Sequence, residues 1–190
     1  MRPIHELWGR LGNNMFQFAF IYAYAKENST DIYFQDPKYF EKYANEIKAI
    51  FGDLTWTGED FLKIGGVEPV SLHVRRGDYA GNSFYVDLSS TDYYQRAMAE
   101  FPGRKFLVFS DDISWCAEQE IFRGCWLSEG KSELDDLNAM MRCNGHVIAN
   151  STFSWWGAWL GKGKVVAPSV QNWYADGYER TKCPKEWVRL

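Results

Sequence analysis

Two adjacent arginines, Arg75 and Arg76, follow directly on an apolar run in the stretch PVSLHVRRGDYAG (69–81). Guanidinium is planar, stays charged at any relevant pH and gives bidentate hydrogen bonds to phosphate oxygens. Neighbouring side chains on a strand point to opposite faces, so one arginine suffices for a ligand at the strand's end. We assign that role to Arg75. For Arg76, structural pairing with a carboxylate such as Asp78 or Asp111 is equally well supported. The tripeptide Arg76-Gly77-Asp78 also occurs in adhesion loops. Here it reads as the turn after a buried strand, with Gly77 giving room where a side chain would crowd a ligand.

A second cluster is NSTFSWWGAWL, Asn150 to Leu160. Ser151, Thr152 and Ser154 surround the expected N-terminus of a helix, where unpaired N–H groups and the macrodipole favour an anion. The hydroxyls can cradle a phosphate, or simply cap the helix while Trp155, Trp156 and Trp159 fill the core. The stretch FSDD supplies Ser110, Asp111 and Asp112. A carboxylate near a strand end binds a ribose or base, or caps the next helix. On spacing alone, Asp135 and Asp136 form a solvated helix face. His5, His73 and His146 are isolated, and no carboxylate group resembles a cation cage, so no metal is expected. Any phosphate bound here would be neutralised by arginine and backbone dipoles instead.

The elements that must position these residues are regular from residue 70 onward. Apolar runs VSLHV, KFLVFS, CWLSE, HVIAN and KVVAPS alternate with helix-like stretches STDYYQRAMAEF, DDISWCAEQEIF, SELDDLNAMMRC and STFSWWGAWLG. Five strands separated by four helices predict an α/β, doubly wound parallel sheet. Ligands bind such sheets beyond the carboxyl ends of the strands, which is where RRGDY, SDD, SEGKSE and NSTFS fall. The first 65 or so residues are less regular. LGNNMFQFAFIYAYAKEN reads as a glycine-bearing loop entering a helix, TDIYFQ as a short strand and DPKYFEKYANEIKAIFG as a second helix. TGEDFLKIGGVEP reads as a linker. The expected organisation is a reduced N-terminal lobe, 1–68, and a complete nucleotide lobe, 69–190.

Composition narrows the partners. A net charge of −4 and pI near 5.4 argue against a nucleic-acid surface. Nine tryptophans in 190 residues lean toward a carbohydrate ligand, since Trp and Tyr line sugar clefts as well as cores. Cys116, Cys125, Cys143 and Cys183 form no CxxC pair and read as free thiols of an intracellular protein. No stretch is long and apolar enough to suggest a signal segment or a membrane span, so a cytoplasmic protein is expected.

HVRRGDY, SDDISWC and NSTFSWWGAWL, in this order and spacing, resemble the motifs of glycosyltransferase family 11, the α1,2-fucosyltransferases. GRLGNNMFQFAF near the start is similar to that family's glycine-rich opening, GGLGNQMFQ. The resemblance covers the first 25 and the last 120 residues. Residues 26–68 look much shorter than in typical members. It implies a GT-B-like fold, GDP-fucose as donor, an oligosaccharide acceptor, inversion at the fucose anomeric carbon, and neither metal nor cofactor. By the same resemblance, Arg75 matches the arginine on the donor diphosphate. His73 and Asp136 match residues near the base, and Ser151, Thr152 and Ser154 match phosphate-side hydroxyls.

The sequence departs from the family at Arg10 and Asn14, where glycine and glutamine are usual. GRLGN is closer to the GRFGN of protein O-fucosyltransferases, in which this loop lines the cleft between lobes. Arg10 and Asn13 are thereby candidates for contact with the diphosphate or acceptor, and Arg10 alternatively for an ion pair. The general base is open among Asp78, Glu6, His5, Asp87 and a departing phosphate oxygen. We carry Asp78 as the candidate. A GDP-sugar-binding protein without transfer activity, or a glycan-binding module, are the competing readings.

Overall fold

A computed structural model of the chain describes residues 9–27, 61–130, 132–178 and 181–190. The expected strand TDIYFQ, the helix DPKYFEKYANEIKAIFG and the base candidates His5 and Glu6 lie outside these. Two compact units divide the chain, Met1–Thr57 and Gly58–Leu190. In the first, helix α1 spans Leu11–Glu27.

The second unit contains the predicted alternation. Strands β1 (Val70–Val74), β2 (Phe106–Ser110), β3 (Trp126–Leu127), β4 (Asn144–Val147) and β5 (Lys162–Ala167) correspond to the five apolar runs. Helices α2 (Tyr93–Ala99), α3 (Ile113–Glu118), α4 (Glu133–Met141) and α5 (Thr152–Leu160) fall on the four helical stretches. A further strand, β6 (Val188–Arg189), was not expected. All pairings are parallel, in the order β3-β2-β1-β4-β5-β6.

Period-two alternation explains why both faces are covered. Val70, Leu72, Val74, Phe106 and Val108 pack against Tyr93, Tyr94 and Ala97 of α2 and Cys116 of α3. The opposite face, through Leu107 and Phe109, packs against Met140 of α4 and Phe153 of α5. Strands buried on both sides are mostly apolar, and β1 is buried at all five positions, with Ser71 and His73 its polar members. Two tyrosines on α2 then tie down backbone acceptors at the strand ends. The Tyr93 hydroxyl donates to Ile148 O at 2.7 Å and the Tyr94 hydroxyl to His73 O at 3.2 Å.

The stretch read as a linker is pinned over its described part. Ile64 and Val67 form an antiparallel bridge around Gly65 and Gly66, whose φ angles of 57° and 83° suit the left-handed region that glycine tolerates. Leu62 and Ile64 pack on the α4 face of the sheet, and Leu62 N donates to Arg142 O at 2.7 Å. The apolar residues Phe61, Leu62, Ile64 and Val67 within the run were the signal for this docking.

His146 on β4 and Ser71 on β1 are both buried. A carbonyl only accepts, so the imidazole Nε2–H donates to Lys162 O (3.0 Å), and Nδ1 accepts from the Ser71 hydroxyl (2.8 Å). The pair joins three adjacent strands and has no access to substrate. Burial lowers the His146 pKa to about 4, against a partial rise from the Lys162 carbonyl. Burial, and then the Arg75 charge, lower that of His73 to about 3. Both imidazoles are neutral in the folded chain and take up protons near pH 6.5 once unfolded. Their stabilising effect is therefore complete above pH 6.5 and is lost as pH falls from there toward 4. For His146 the loss is on the order of 3 kcal/mol. Urea denaturation at pH 7 and pH 4.5 will show a smaller acid loss for His146→Gln than for the wild type; parallel losses would refute this account.

Candidate functional site

Strand order reverses between β1 and β4, and in open parallel sheets the crevice beyond such a reversal holds the ligand. β1 ends at Val74 and delivers Arg75 to that edge. β4 leads through Ile148–Asn150 into α5. The two meet there, since the His73 ring on β1 lies 5.5 Å from the Phe153 ring in the first turn of α5.

Alternation along β1 sends the paired arginines apart. Arg76 leaves toward the α2 and α3 face. Its guanidinium stacks 3.8 Å from the Trp115 ring centroid and its Nη1 donates to Ser89 Oγ at 2.7 Å. Asp112 and Asp87 stand 3.5 and 3.9 Å from it. Arg76 thus takes the structural pairing weighed for it in the sequence, with Asp112 and Asp87 rather than Asp78 or Asp111. Both of these carboxylates also cap short helices, Asp112 accepting from Trp115 N and Asp87 from Ser89 N.

Arg75 turns the other way and is mostly buried. Its Nη1 lies 2.8 Å from Asp111 Oδ2, its Nη2 donates to Asp78 Oδ1, and its Cζ sits 5.2 Å from the Tyr79 ring centroid. Its Nε is buried without a hydrogen-bond partner, as is Nδ1 of His73. Asp111 is doubly engaged, because its Oδ1 accepts from Arg76 N at 2.9 Å. It is also the better shielded carboxylate, at 22% exposed against 53% for Asp78. Gly77 makes this packing possible in a way the sequence did not foretell. A Cβ there would stand 2.3 Å from Asp111 Oδ2, so the crowding concerns Asp111.

The hydroxyl-rich start of α5 has a divided role. Ser151 is the N-cap and its side chain accepts from Phe153 N at 3.3 Å. Ser154 is fully buried, and its hydroxyl donates to Ser151 O at 3.3 Å. Asn150 is buried too, and its Nδ2 donates to Val86 O and Trp173 O at 2.8 and 3.0 Å. These three hold the turn that presents the helix start, and half-buried Thr152 opens it. Ser110 likewise braces the neighbouring loop, accepting from Asp112 N at 3.0 Å.

Asp136 departs from the solvated-face reading of its spacing. It lies in the first turn of α4, half-buried, and accepts from Ser128 Oγ at 2.6 Å in the loop after β3. Burial raises its pKa. Asp135, accepting from the Ser132 hydroxyl, is the exposed one. Arg10 and Asn13 belong to the other unit, at the start of α1, where their carbonyls accept from Asn14 N and Gln17 Nε2.

Sequence reasoning passed over an aromatic stack beside Arg75. Tyr79 and Tyr85 are parallel at 3.8 Å, and Phe84 packs edge-on to Tyr85 and Tyr174. The spacing in DYAGNSFYV was the available signal. No described helix is long and apolar enough to cross a membrane.

Gly77→Ala will cost about 1–3 kcal/mol by dislodging Asp111 from its ion pair with Arg75 and its hydrogen bond from Arg76 N. In an Asp111→Ala background that cost will largely vanish, since the group it displaces is gone. Additive losses in urea denaturation of the two single variants and the double variant would sink the assignment.

The geometry can be set beside known proteins. The profile of glycosyl transferase family 11 matches residues 32–190. An α1,2-colitosyltransferase of Escherichia coli is 32% identical over 83% of this chain and 61% of its own length. The O-antigen biosynthesis glycosyltransferase WbnK, also of Escherichia coli, is 31% identical over 83% of this chain and 59% of its own. The Mus musculus galactoside 2-α-L-fucosyltransferase Sec1 is 33% identical over 55% of this chain and 33% of its own. The chain therefore spans about three-fifths of the length of the two bacterial relatives. No solved structure matches. With a matched region that runs through every strand and site residue of the second unit, the chain belongs to glycosyl transferase family 11.

Proposed function

We propose that the chain is an inverting, metal-independent fucosyltransferase. It moves fucose from GDP-fucose to a galactoside hydroxyl, in α1,2 linkage, in the cytoplasm. The reading includes a GT-B arrangement, with residues 1–68 as the acceptor-side lobe and 69–190 as the donor lobe. One observation carries it: at the strand-order reversal, β1 delivers a mostly buried arginine oriented by Asp111, two residues after His73, whose ring meets Phe153 at the start of α5. Relatives named for α1,2-colitosyl and galactoside 2-α-L-fucosyl transfer support the reaction class.

In this reading the diphosphate lies between Arg75 and the α5 N-terminus. Both terminal nitrogens of the Arg75 guanidinium are oriented by carboxylates, Nη1 by Asp111 and Nη2 by Asp78, and the buried Nε–H remains for a phosphate oxygen. The acceptor oxygen forms a bond to C1 of fucose as the C1–O bond to the β-phosphate breaks. Negative charge grows on that phosphate, so donors fixed in advance act more strongly on the transition state than on the ground state. Neutral His73 and half-buried Asp136 are assigned to the guanine base by the family resemblance, with Asp136 available to accept from a guanine N–H. Ser110 and Asp111 line the same edge. Arg10 and Asn13 are assigned to the acceptor or the diphosphate by the resemblance of GRLGN alone.

Asp78 is the proposed base. It is the more exposed of the two carboxylates on Arg75, and that exposure leaves it open to an acceptor hydroxyl. Asp78→Asn should flatten the acidic limb of the kcat/KM profile. An unchanged limb assigns the proton to another acceptor.

Arg75→Ala, assayed with GDP-fucose and lactose in excess EDTA, should lower turnover by about 10²–10³. Arg75→Lys should not restore it, because an ammonium lacks the planar fork that engages two partners. Near-normal turnover of Arg75→Ala, or GDP binding by calorimetry that ignores the substitution, would overturn the donor site. Wild-type binding of GDP with no transfer to any galactoside would leave a GDP-sugar-binding protein.

A further inference from the structure

The loop after β1 carries more aromatic surface than a turn requires. Arg75 stands over Tyr79, Tyr79 stacks on Tyr85 at an interplanar angle of 8°, and Phe84 meets Tyr85 edge-on at 4.9 Å. Tyr174, bridged antiparallel to Tyr85, closes the cluster from the segment after β5. The result is one continuous aromatic wall that begins at the proposed diphosphate anchor.

Phe84 is its outermost ring and is 45% exposed. An exposed phenylalanine on a loop is ordinarily free to rotate, but this one is fixed on several sides. Its N–H donates to Asn82 Oδ1 at 2.9 Å and its carbonyl accepts from Ala175 N at 3.0 Å. Its ring is wedged against Tyr85 at 88° and against Tyr174 at 64°. Asn82 is itself anchored, donating through Nδ2 to Asp78 O at 3.1 Å. An aromatic face held in place before a ligand arrives avoids the ordering cost that weakens most exposed contacts.

We propose that Phe84 is a platform for the acceptor sugar, on which a galactopyranoside stacks through its apolar C–H face. The proposal rests on the transferase reading given above. Two features select this occupant. The donor fucose is bonded to the phosphate that Arg75 would hold, so it must lie beside Tyr79, and the next pyranose outward meets Phe84. In galactose the axial 4-hydroxyl clears the opposite face, leaving the hydrogens on C3, C4 and C5 as one apolar patch. Glucose, inverted at C4, lacks that patch. Aromatic faces favour such C–H surfaces, and the exposed Asp78 carboxylate beside the wall can accept from the sugar's hydroxyls. An acceptor contact thereby falls within the donor lobe, in addition to whatever residues 1–68 supply.

The test uses the 190-residue chain with GDP present and methyl β-D-galactoside as probe, read by saturation-transfer NMR, alongside GDP calorimetry. The expected result is saturation of H3, H4 and H5 of the galactoside, little signal from methyl β-D-glucoside, and on the order of tenfold weaker galactoside binding in Phe84→Ala. Phe84→Tyr should keep the platform, and GDP affinity should be the same in all three proteins. Galactoside binding that is absent from the wild type, or equal in wild type and Phe84→Ala, would overturn the platform while intact GDP binding left the donor site standing. Loss of GDP affinity in Phe84→Ala would overturn it too, by showing that the ring supports the donor site. Failure of the wild type to bind GDP would remove both the donor site and the platform built on it.

Discussion

A single carboxylate determines how the arginine pair is used. Asp111 pairs with the Arg75 guanidinium through one oxygen and accepts from the Arg76 backbone N–H with the other, and it can come that close only because residue 77 has no side chain. A mostly buried guanidinium without a fixed partner would carry a desolvation cost of several kcal/mol and would have no defined direction. Asp111 removes both problems. It links the end of β2 to the end of β1, so the direction of Arg75 is set by the sheet register itself. Arg76 makes the same kind of bond to the other layer, through Trp115, Asp112 and Ser89. Two adjacent cations thus join the opposite faces of the sheet to one edge.

The start of α5 is held with similar economy. Asn150 reaches two carbonyls on separate loops, Ser151 caps, and Ser154 turns its hydroxyl back into the helix. Tyr93 holds the Ile148 carbonyl on the approach to that turn. A helix terminus acts on an anion through the position and direction of its amides, and the effect decays within the first turn. Side chains that immobilise the terminus consequently matter as much as any hydroxyl that touches a ligand. Their polar types at residues 150, 151 and 154 follow from positioning alone.

Much of this architecture was legible because its physical causes are local. Period-two apolar runs and Ser, Thr or Asp at helix starts locate five strands and four helices. The all-parallel sheet follows from their alternation. The strand-end rule then singled out Arg75, Asp111 and the α5 start. What escaped depends on pairings between distant residues. β6 is two residues long and is recognisable only by its partner β5. Asp135 and Asp136 look alike in sequence, and only the return of Ser128 from the β3 loop separates the half-buried carboxylate from the solvated one. Gly77 was read as giving room to a ligand, and the close approach of Asp111, 34 residues on, could not be read from its neighbours in sequence. The aromatic wall needed Tyr174, which is 89 residues beyond Tyr85, to become visible.

The charges at this edge set a further constraint. Arg75 and Arg76 stand among Asp78, Asp87, Asp111 and Asp112, so two positive charges face four negative ones before any ligand arrives. Bulk attraction would therefore not hold the proposed diphosphate at this edge. At an effective dielectric of 20, charges 4 Å apart interact by about 4 kcal/mol, so one nearby carboxylate offsets most of what one guanidinium supplies at range. What remains is directional: N–H groups whose positions are fixed by those same carboxylates, and the amides of α5. Directed donors discriminate between charge that is already spread over a diphosphate and charge that concentrates on one oxygen as a bond breaks. A site built by enclosing cations in carboxylates gives up ground-state affinity and keeps the interaction that strengthens along the reaction. That balance suits group transfer better than storage of a nucleotide.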